Sequence, residues 1–144
     1  MNWRDVWERK GRVEVDSYDL ETLIALDGFD VGLGKLGGSQ FRQLAAMIVR
    51  TLGLAPGARL LEVGCGAGAL LACLLGFDVE LLGLDYAESL IEHARRAVPK
   101  AVFEVAEATA VPFTADAIVC HSVFQYFPDL SYARRALAAQ RRSG

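Results

Sequence analysis

The stretch from Leu60 to Gly68, which reads LLEVGCGAG, constrains the fold of this chain more than any other part of the sequence. An apolar run leads into alternating glycines, and an apolar helical pattern begins directly after them, at Ala69. Glycines let the backbone turn tightly and approach a ligand without a Cβ in the way. The helix that follows directs free N–H groups and the positive end of its dipole at that ligand. The stretch therefore predicts a strand, a loop and a helix that together cradle a bound molecule.

Strand and helix patterns alternate through the rest of this half of the chain. Apolar strand patterns cover residues 59–63, 79–84, 101–105 and 116–120. Helical patterns fill residues 69–75 and 87–96, and a last helix begins near Ser131. Strands that alternate with helices of this length indicate crossover connections and a parallel sheet with helices on both faces. We predict an α/β fold.

The first part of the chain has a different character. A helix begins near Ser17 or Asp19, and Ser39 is a good N-cap for a later helix. Between these helices, regular structure is interrupted by Gly28, Gly32, Gly34, Gly37 and Gly38. We therefore divide the chain into an N-terminal helical or lid segment, residues 1–38, and a ligand-binding α/β domain, residues 39–144.

Composition narrows the class of protein. The chain has 144 residues, of which 53% are hydrophobic and 23% charged, as expected for one ordered globular domain. A net charge of −3 gives no electrostatic reason to bind nucleic acid or an anionic membrane. The arginines of the tail indicate a solvated helix face (Arg134, Arg135, Arg141 and Arg142).

Cysteine usage and the N-terminus indicate a cytoplasmic protein. The chain has three cysteines, an odd number, and none stands in a CxxC pair. This pattern is typical of reduced thiols, and it predicts neither a disulfide framework nor a metal site. No apolar run approaches the ~18 residues that span a bilayer, and the N-terminus does not look like a signal peptide.

Asp85 and Glu62 bear on which ligand the glycine loop holds. Asp85 ends the second strand, where its carboxylate can accept both hydroxyls of a ribose. The string from Gly64 to Ala69 also fits the G-x-G-x-x-G/A form of a dinucleotide site, which is a weak signal by itself. Glu62 would repel a pyrophosphate and attract an ammonium group. Of three hypotheses of function, an NAD-type oxidoreductase is therefore the least favoured.

Four segments in the correct order resemble the class I S-adenosylmethionine-dependent methyltransferases. Residues 62–68 match the first signature, acid-x-G-x-G-x-G, at every fixed position. Residues 84–90 are similar to the second signature and residues 106–113 to the G-D-A-x-x-L-P-F segment, while residues 116–129 resemble the fourth strand and its loop. The resemblance implies a Rossmann-like fold, S-adenosyl-L-methionine as cofactor, and methyl transfer to a small-molecule acceptor.

The resemblance, together with the loop chemistry, nominates a set of cofactor-binding residues. Glu107, where the family usually has Asp, would receive the adenine amino group, and the backbone N–H of Ala108 would contact the ring. Tyr86 either packs on the adenine or is a surface aromatic, and Cys65 is a small loop filler. His121 either lines the pocket or acts as a catalytic base toward a hydroxyl acceptor. The set is Glu62, Gly64, Cys65, Gly66, Gly68, Asp85, Tyr86, Glu107, Ala108 and His121.

The family fold usually has seven strands, and this chain ends one helix after the fourth. We therefore expect a sheet truncated to about four strands, with a homodimer covering the exposed edge of the fourth. Two hypotheses of function follow: a working small-molecule methyltransferase, and a catalytically inactive cofactor-binding or assembly module. Candidate substrate-lid residues are Trp3, Trp7, Tyr18, Gln125 and Tyr126. The polar helix face that carries His93 is expected to be solvated.

Overall fold

The computed structural model of the chain describes residues 2–30 and 35–144, and Gly32 and Gly34 of the predicted connection lie outside them. The described part contains a sheet whose strands are β1 (Ala58–Val63), β2 (Val79–Asp85), β3 (Val102–Val105) and β4 (Ala117–Val119). The strands are all parallel and lie in the order β3-β2-β1-β4. The predicted α/β fold with a parallel sheet is confirmed, and the pairing order makes it Rossmann-like.

Helices precede and connect the strands. They are α1 (Trp3–Gly11), α2 (Leu20–Leu26), α3 (Gly38–Leu52), α4 (Ala69–Leu74), α5 (Glu88–Ala97) and α6 (Leu130–Ser143), and a single 3-10 turn covers Phe124–Tyr126. The start of α2 is as predicted, because the Asp19 carboxylate accepts a hydrogen bond from Thr22 N at 2.8 Å.

The predicted N-cap of α3 at Ser39 was wrong. The helix begins at Gly38, and its N-cap is Gly37. Two side chains explain the earlier start, since they accept hydrogen bonds from backbone N–H groups that would otherwise lack a partner. Gln40 Oε1 lies 3.0 Å from Gly37 N, and Glu21 Oε1 from α2 lies 3.1 Å from Gly38 N.

Alternate residues of the central strands enter two separate cores. Leu60 of β1 belongs to the core that α2, α3, α4 and α5 cover. Its neighbour Leu61 belongs to the other core, which Ala136 of α6 caps. The right-handed crossovers that connect β1 to β2 and β2 to β3 place α4 and α5 on the first face of the sheet. The chain then returns to the other side of β1 to form β4, and α6 therefore lies on the second face. Ligands of such sheets bind where the direction reverses, at the carboxyl ends of β1 and β4.

His93 is buried, so the expectation that it is solvated was wrong, whereas Glu92 and Arg96 of the same polar face are exposed as expected. The His93 side chain is 7% exposed, because α1 packs against this side of α5. His93 Nε2 lies 2.8 Å from the carbonyl oxygen of Gly11, and Nδ1 lies 2.9 Å from the hydroxyl of Tyr18. Because a carbonyl can only accept, Nε2 carries the proton. The imidazole thereby joins α5 to the last residue of α1 and to Tyr18 in the segment that links α1 and α2.

The surface of α6 carries the four arginines of the tail, which are all exposed as expected. Within residues 2–30 and 35–144, no helix combines the length and the apolar character that a bilayer crossing requires.

Candidate functional site

A cavity of about 300 Å³ opens at the carboxyl ends of β1, β2 and β4. Its walls come from the glycine loop, from the residues that follow β2, β3 and β4, and from α1 and the end of α2. The predicted site residues that line it are Glu62, Gly64, Cys65, Gly66, Asp85, Tyr86, Glu107, Ala108 and His121. Gly68 does not line it. It is the N-cap of α4 with a φ of 91°, and it packs against Ala94 and Val98 of α5.

The glycine loop is held in a conformation that side chains would obstruct. Gly64 and Gly66 have φ angles of 76° and 55°, in the left-handed region that favours glycine. A Cβ at Gly64 would overlap Val123, and one at Gly66 would overlap the carboxylate of Asp27. The amides of Gly64 and Cys65 both donate to Leu84 O, at 2.8 and 3.0 Å, which ties the loop to the end of β2.

Asp85 connects the glycine loop to the start of α5. Its carboxylate is 7% exposed and accepts hydrogen bonds from Gly66 N and Ala87 N, each at 2.9 Å. Burial raises the pKa of Asp85, and these backbone hydrogen bonds oppose the increase. Each carboxylate oxygen has a further lone pair that can accept from a ligand hydroxyl. The predicted ribose contact stays a prediction, to which the structure adds a role in holding the loop.

Asp27 is a site residue that nothing in the sequence indicated. It directly follows α2, yet its carboxylate reaches the glycine loop, where Oδ1 accepts from Ala67 N at 2.6 Å and Oδ2 from Ala69 N at 3.0 Å. Burial raises the pKa of Asp27 to about 7, although both hydrogen bonds act in the other direction. From the local sequence alone, a polar residue between a helix and Gly28 is expected to be the exposed end of that helix. Its partners lie 40 and 42 positions further along the chain.

Glu62 completes a group of three carboxylates at the floor of the cavity. Its side chain is 5% exposed, and its Oε2 has no hydrogen-bond partner in the described part of the chain. Burial raises the pKa of Glu62 well above its usual value, and the neighbouring Asp27 and Asp85 raise it further. Among residues 2–30 and 35–144, no three His, Cys, Asp or Glu side chains are arranged to hold a metal ion. In the part of the chain that the structure describes, no salt bridge engages these three carboxylates, so the floor is acidic.

Glu107 lies on the opposite side of the cavity and is engaged by two side chains that the sequence did not indicate. Its carboxylate forms an ion pair with Arg4 of α1 and accepts a hydrogen bond from the Tyr132 hydroxyl at 2.5 Å. The Arg4 guanidinium also lies over the ring of Tyr86, 4.9 Å from the ring centre. Burial raises the pKa of Tyr86 to about 12. The structure thus links α1 to the predicted adenine side of the site.

Aromatic side chains form the remaining wall. Trp3 and Trp7 both contact the ring of Tyr126 edge-on, with ring centres 4.9 and 5.3 Å apart. His121 stacks on Phe29 at 5.5 Å, and burial lowers its pKa. The imidazole is therefore neutral at neutral pH and able to accept a proton. Tyr18 is absent from this wall, because its hydroxyl pairs with His93.

Cys65 has the character of a small loop filler. It is 2% exposed, and burial raises the pKa of its thiol well above the usual value, with Asp85, Glu62 and Asp27 adding to the effect. Its Sγ faces the sheet, where a Cβ at Gly83 would lie 2.9 Å away. A thiol held protonated in this way is a poor nucleophile.

The known proteins that this chain resembles include methyltransferases, in agreement with the geometry of the cavity. A family model described as "Methyltransferase domain" matches residues 61–143. The ubiquinone biosynthesis O-methyltransferase of Bordetella bronchiseptica is 32% identical in an alignment 125 residues long, and the alignment covers 74% of this chain and 50% of that protein. The chain spans about half the length of the curated relatives that resemble it over most of its own length.

Solved methyltransferase structures share the fold. Magnesium protoporphyrin IX methyltransferase from Synechocystis PCC 6803, crystallised with bound SAM, superimposes with a TM-score of 0.65 at 15% identity, over 97% of this chain and 65% of that one. A TehB-like SAM-dependent methyltransferase from Corynebacterium glutamicum superimposes with a TM-score of 0.61 at 26% identity, over 73% of this chain and 63% of that one.

Proposed function

The chain belongs to the methyltransferase domain family, and from that premise we propose that it binds S-adenosyl-L-methionine and transfers a methyl group to a small-molecule acceptor. One observation carries the proposal: Glu62 lines the cavity beside the glycine loop, and its buried Oε2 has no hydrogen-bond partner among residues 2–30 and 35–144. A buried acid in that position favours a cationic ligand, and the methionine part of this cofactor carries an ammonium and a sulfonium group.

The remaining cavity residues fit the other parts of the cofactor. Asp85 has lone pairs left for ribose hydroxyls. Gly64 and Gly66 give the loop its left-handed turns and let Val123 and Asp27 pack against its backbone. Tyr86, Glu107 and Ala108 form the wall that we assign to adenine. Cys65 and Gly68 act on the shape of the loop, and His121 lines the cavity.

When bound, S-adenosyl-L-methionine supplies a methyl group that its sulfonium already activates. The protein then has to align the acceptor with that methyl group and exclude water. Trp3, Trp7 and Tyr126 are placed to do this, because they close one side of the cavity with apolar rings. We propose that His121 takes the proton when the acceptor is a hydroxyl, since a neutral imidazole beside the cavity suits that step.

We also propose a cytoplasmic location and a homodimer that covers the outer edge of β4. In the described sheet β4 pairs on one side, with β1. Leu130 and Leu137 of α6 are 65% and 47% exposed and offer apolar surface to a second copy. Sedimentation velocity across protein concentrations tests the dimer. A monomer at every concentration would contradict it.

Calorimetry and turnover test the activity. We expect S-adenosylhomocysteine to bind and NAD not to bind, and we expect labelled S-adenosylmethionine to transfer its methyl group to a member of a small-metabolite panel that includes phenols. Preference for NAD would overturn the cofactor assignment. Tight binding of S-adenosylhomocysteine without any transfer would overturn the enzymatic function in favour of the inactive binding module.

A matched pair of glycine variants ties this result to the cavity. A Cβ added in Gly66→Ala overlaps Asp27 and demands a strained φ. A Cβ added in Gly76→Ala meets nothing within 4 Å. We expect the first variant to lose S-adenosylhomocysteine binding and the second to retain it.

A further inference from the structure

Three carboxylates from separate elements meet at the floor of the cavity. Glu62 belongs to β1, Asp85 ends β2, and Asp27 follows α2. The methyltransferase signatures account for the first two, because they lie in the segments that match. Asp27 lies outside those segments and outside the residues that the family model matches.

Asp27 occupies the amides that an anionic ligand would need. In a dinucleotide site, the pyrophosphate accepts from backbone N–H groups where the glycine loop joins its helix. Here Ala67 N and Ala69 N already donate to the two oxygens of Asp27. The close approach also explains Gly66, since any side chain there would overlap Asp27 Oδ1. The Asp27 carboxylate thus occupies the position that an anionic ligand group would take at these two amides, and this end of the cavity is acidic.

Glu62 adds a buried acid without a hydrogen-bond partner to this floor. Its Oε2 has no partner among the described residues, and the residue lines the cavity. The charged groups near Asp27 are Glu62, Asp85 and Lys10 of α1, and Lys10 lowers the pKa of Asp27 by less than Asp85 raises it. A cation bound among the three acids would relieve their mutual repulsion.

We propose that Asp27 is a positioning residue of the cofactor site, which holds the glycine loop at Ala67 and Ala69 and selects a ligand with an ammonium group at this end of the cavity. The inference rests on the proposed function and deepens it. It assigns the choice of an ammonium-bearing amino-acid end over an anionic pyrophosphate to a residue from the N-terminal segment.

A ligand pair that differs only in the ammonium group tests the inference. The probes are S-adenosylhomocysteine and its deamino analogue, in which hydrogen replaces the amino group. For the unmodified protein we expect the deamino analogue to bind at least about tenfold more weakly. In Asp27→Asn that ratio should shrink to about two- to threefold, because both ligands lose affinity as the loop loses an acceptor, and only S-adenosylhomocysteine also loses the attraction of its ammonium group.

Asp19→Asn is the matched control. Asp19 caps the other end of α2 through Thr22 N and does not line the cavity. The control should keep the full ratio between the two ligands. If Asp27→Asn weakens both ligands equally, Asp27 only supports the loop and the inference is overturned.

The pH dependence of the unmodified protein gives a second readout that needs no variant. Burial raises the pKa of Asp27 to about 7, and Glu62 is shifted in the same direction. A bound ammonium lowers both pKa values, so binding releases a proton wherever the free site holds one. S-adenosylhomocysteine affinity should therefore increase by several-fold up to about tenfold between pH 6 and pH 8.

The deamino analogue lacks the ammonium and should not gain affinity over this range. Equal pH profiles for the two ligands would overturn the inference even if Asp27→Asn does not fold. Failure of the unmodified protein to bind S-adenosylhomocysteine at any pH would contradict the proposed function itself. The two failures are thus distinguishable.

Discussion

Asp85 has two tasks in the binding site, one toward the backbone of the glycine loop and one toward the ligand. Its oxygens hold the amides of Gly66 and Ala87, and the same oxygens are expected to meet the ribose. A residue with both tasks affects the ligand directly and also through the shape of the loop. Its substitution needs a control that separates these effects.

We expect Asp85→Ala to weaken S-adenosylhomocysteine binding by about 1.5–3 kcal/mol, the range for a lost hydrogen bond to a charged group. Calorimetry measures the affinity and thermal unfolding measures the stability. The matched control is Asp116→Ala, because Asp116 Oδ2 also accepts from a backbone amide, Arg59 N at 2.7 Å, away from the cavity. Unchanged affinity in Asp85→Ala would remove Asp85 from the binding site.

The thiols provide a second test at the residue scale. Burial raises the pKa of Cys65 well above that of a free thiol, and the residue is 2% exposed. Burial also raises the pKa of Cys73 and raises that of Cys120 to about 11, but both residues are only partly buried and so are more accessible than Cys65. In the native protein at pH 8, we expect iodoacetamide to modify Cys73 and Cys120 well before Cys65, as peptide mass spectrometry would show. Cys65→Ala should retain methyl transfer, and loss of transfer with intact cofactor binding would reveal a catalytic thiol.

The predictability of the site residues follows from how far apart their partners stand in the sequence. Glu62, Gly64 and Gly66 act within one strand and its loop, so a local motif identifies them. Asp27 and Arg4 act across the fold, on residues that neither local pattern nor charge connects to them. No local signal exists for such contacts, because the strand order that creates them is itself a long-range property.

The helices show the same division at the scale of elements. Apolar periodicity predicted the helices and strands of the α/β half, because each buries one face or alternates between two cores. The polar face of α5 was misjudged at His93, since the periodicity cannot show that α1 covers it. The packing of α1 against α5 also determines how α5 begins.

The start of α5 is capped by a side chain from another helix. Its own N-cap, Ala87, has no side-chain acceptor. Glu8 of α1 supplies one instead, with Oε1 2.7 Å from Glu88 N and Oε2 3.2 Å from Ser89 N. The Ser89 hydroxyl in turn donates to Glu8 O at 2.8 Å. The cap therefore joins α1 to the domain.

Glu8→Ala should lower the free energy of unfolding by about 1–2 kcal/mol, the usual effect of removing an N-cap. Chemical denaturation measures it. Glu92→Ala, which removes an exposed carboxylate from α5 itself, should change stability by no more than about 0.5 kcal/mol. Equal effects of the two substitutions would show that Glu8 does not cap α5.

At the scale of the whole molecule, the cavity depends on both parts of the chain. The sheet contributes the glycine loop and the ends of β1, β2 and β4, whereas α1 and the end of α2 contribute Arg4, Trp7 and Asp27. The division at residue 38 stays a prediction about the sequence. In the fold, the N-terminal helices are one wall of the same cavity, joined to α5 by Glu8 and His93.

This arrangement predicts where a bound ligand slows backbone exchange. Saturating S-adenosylhomocysteine, at 100 times its Kd, should stabilise the fold by about 2.7 kcal/mol. Hydrogen–deuterium exchange followed by mass spectrometry should then show slower exchange in the glycine loop and in α1 and α2, because all three border the cavity. The C-terminal turn of α6 does not line the cavity, so its exchange should change least and serve as the internal control. Protection of the loop with α1 and α2 unaffected would mean that the N-terminal helices do not enclose the ligand.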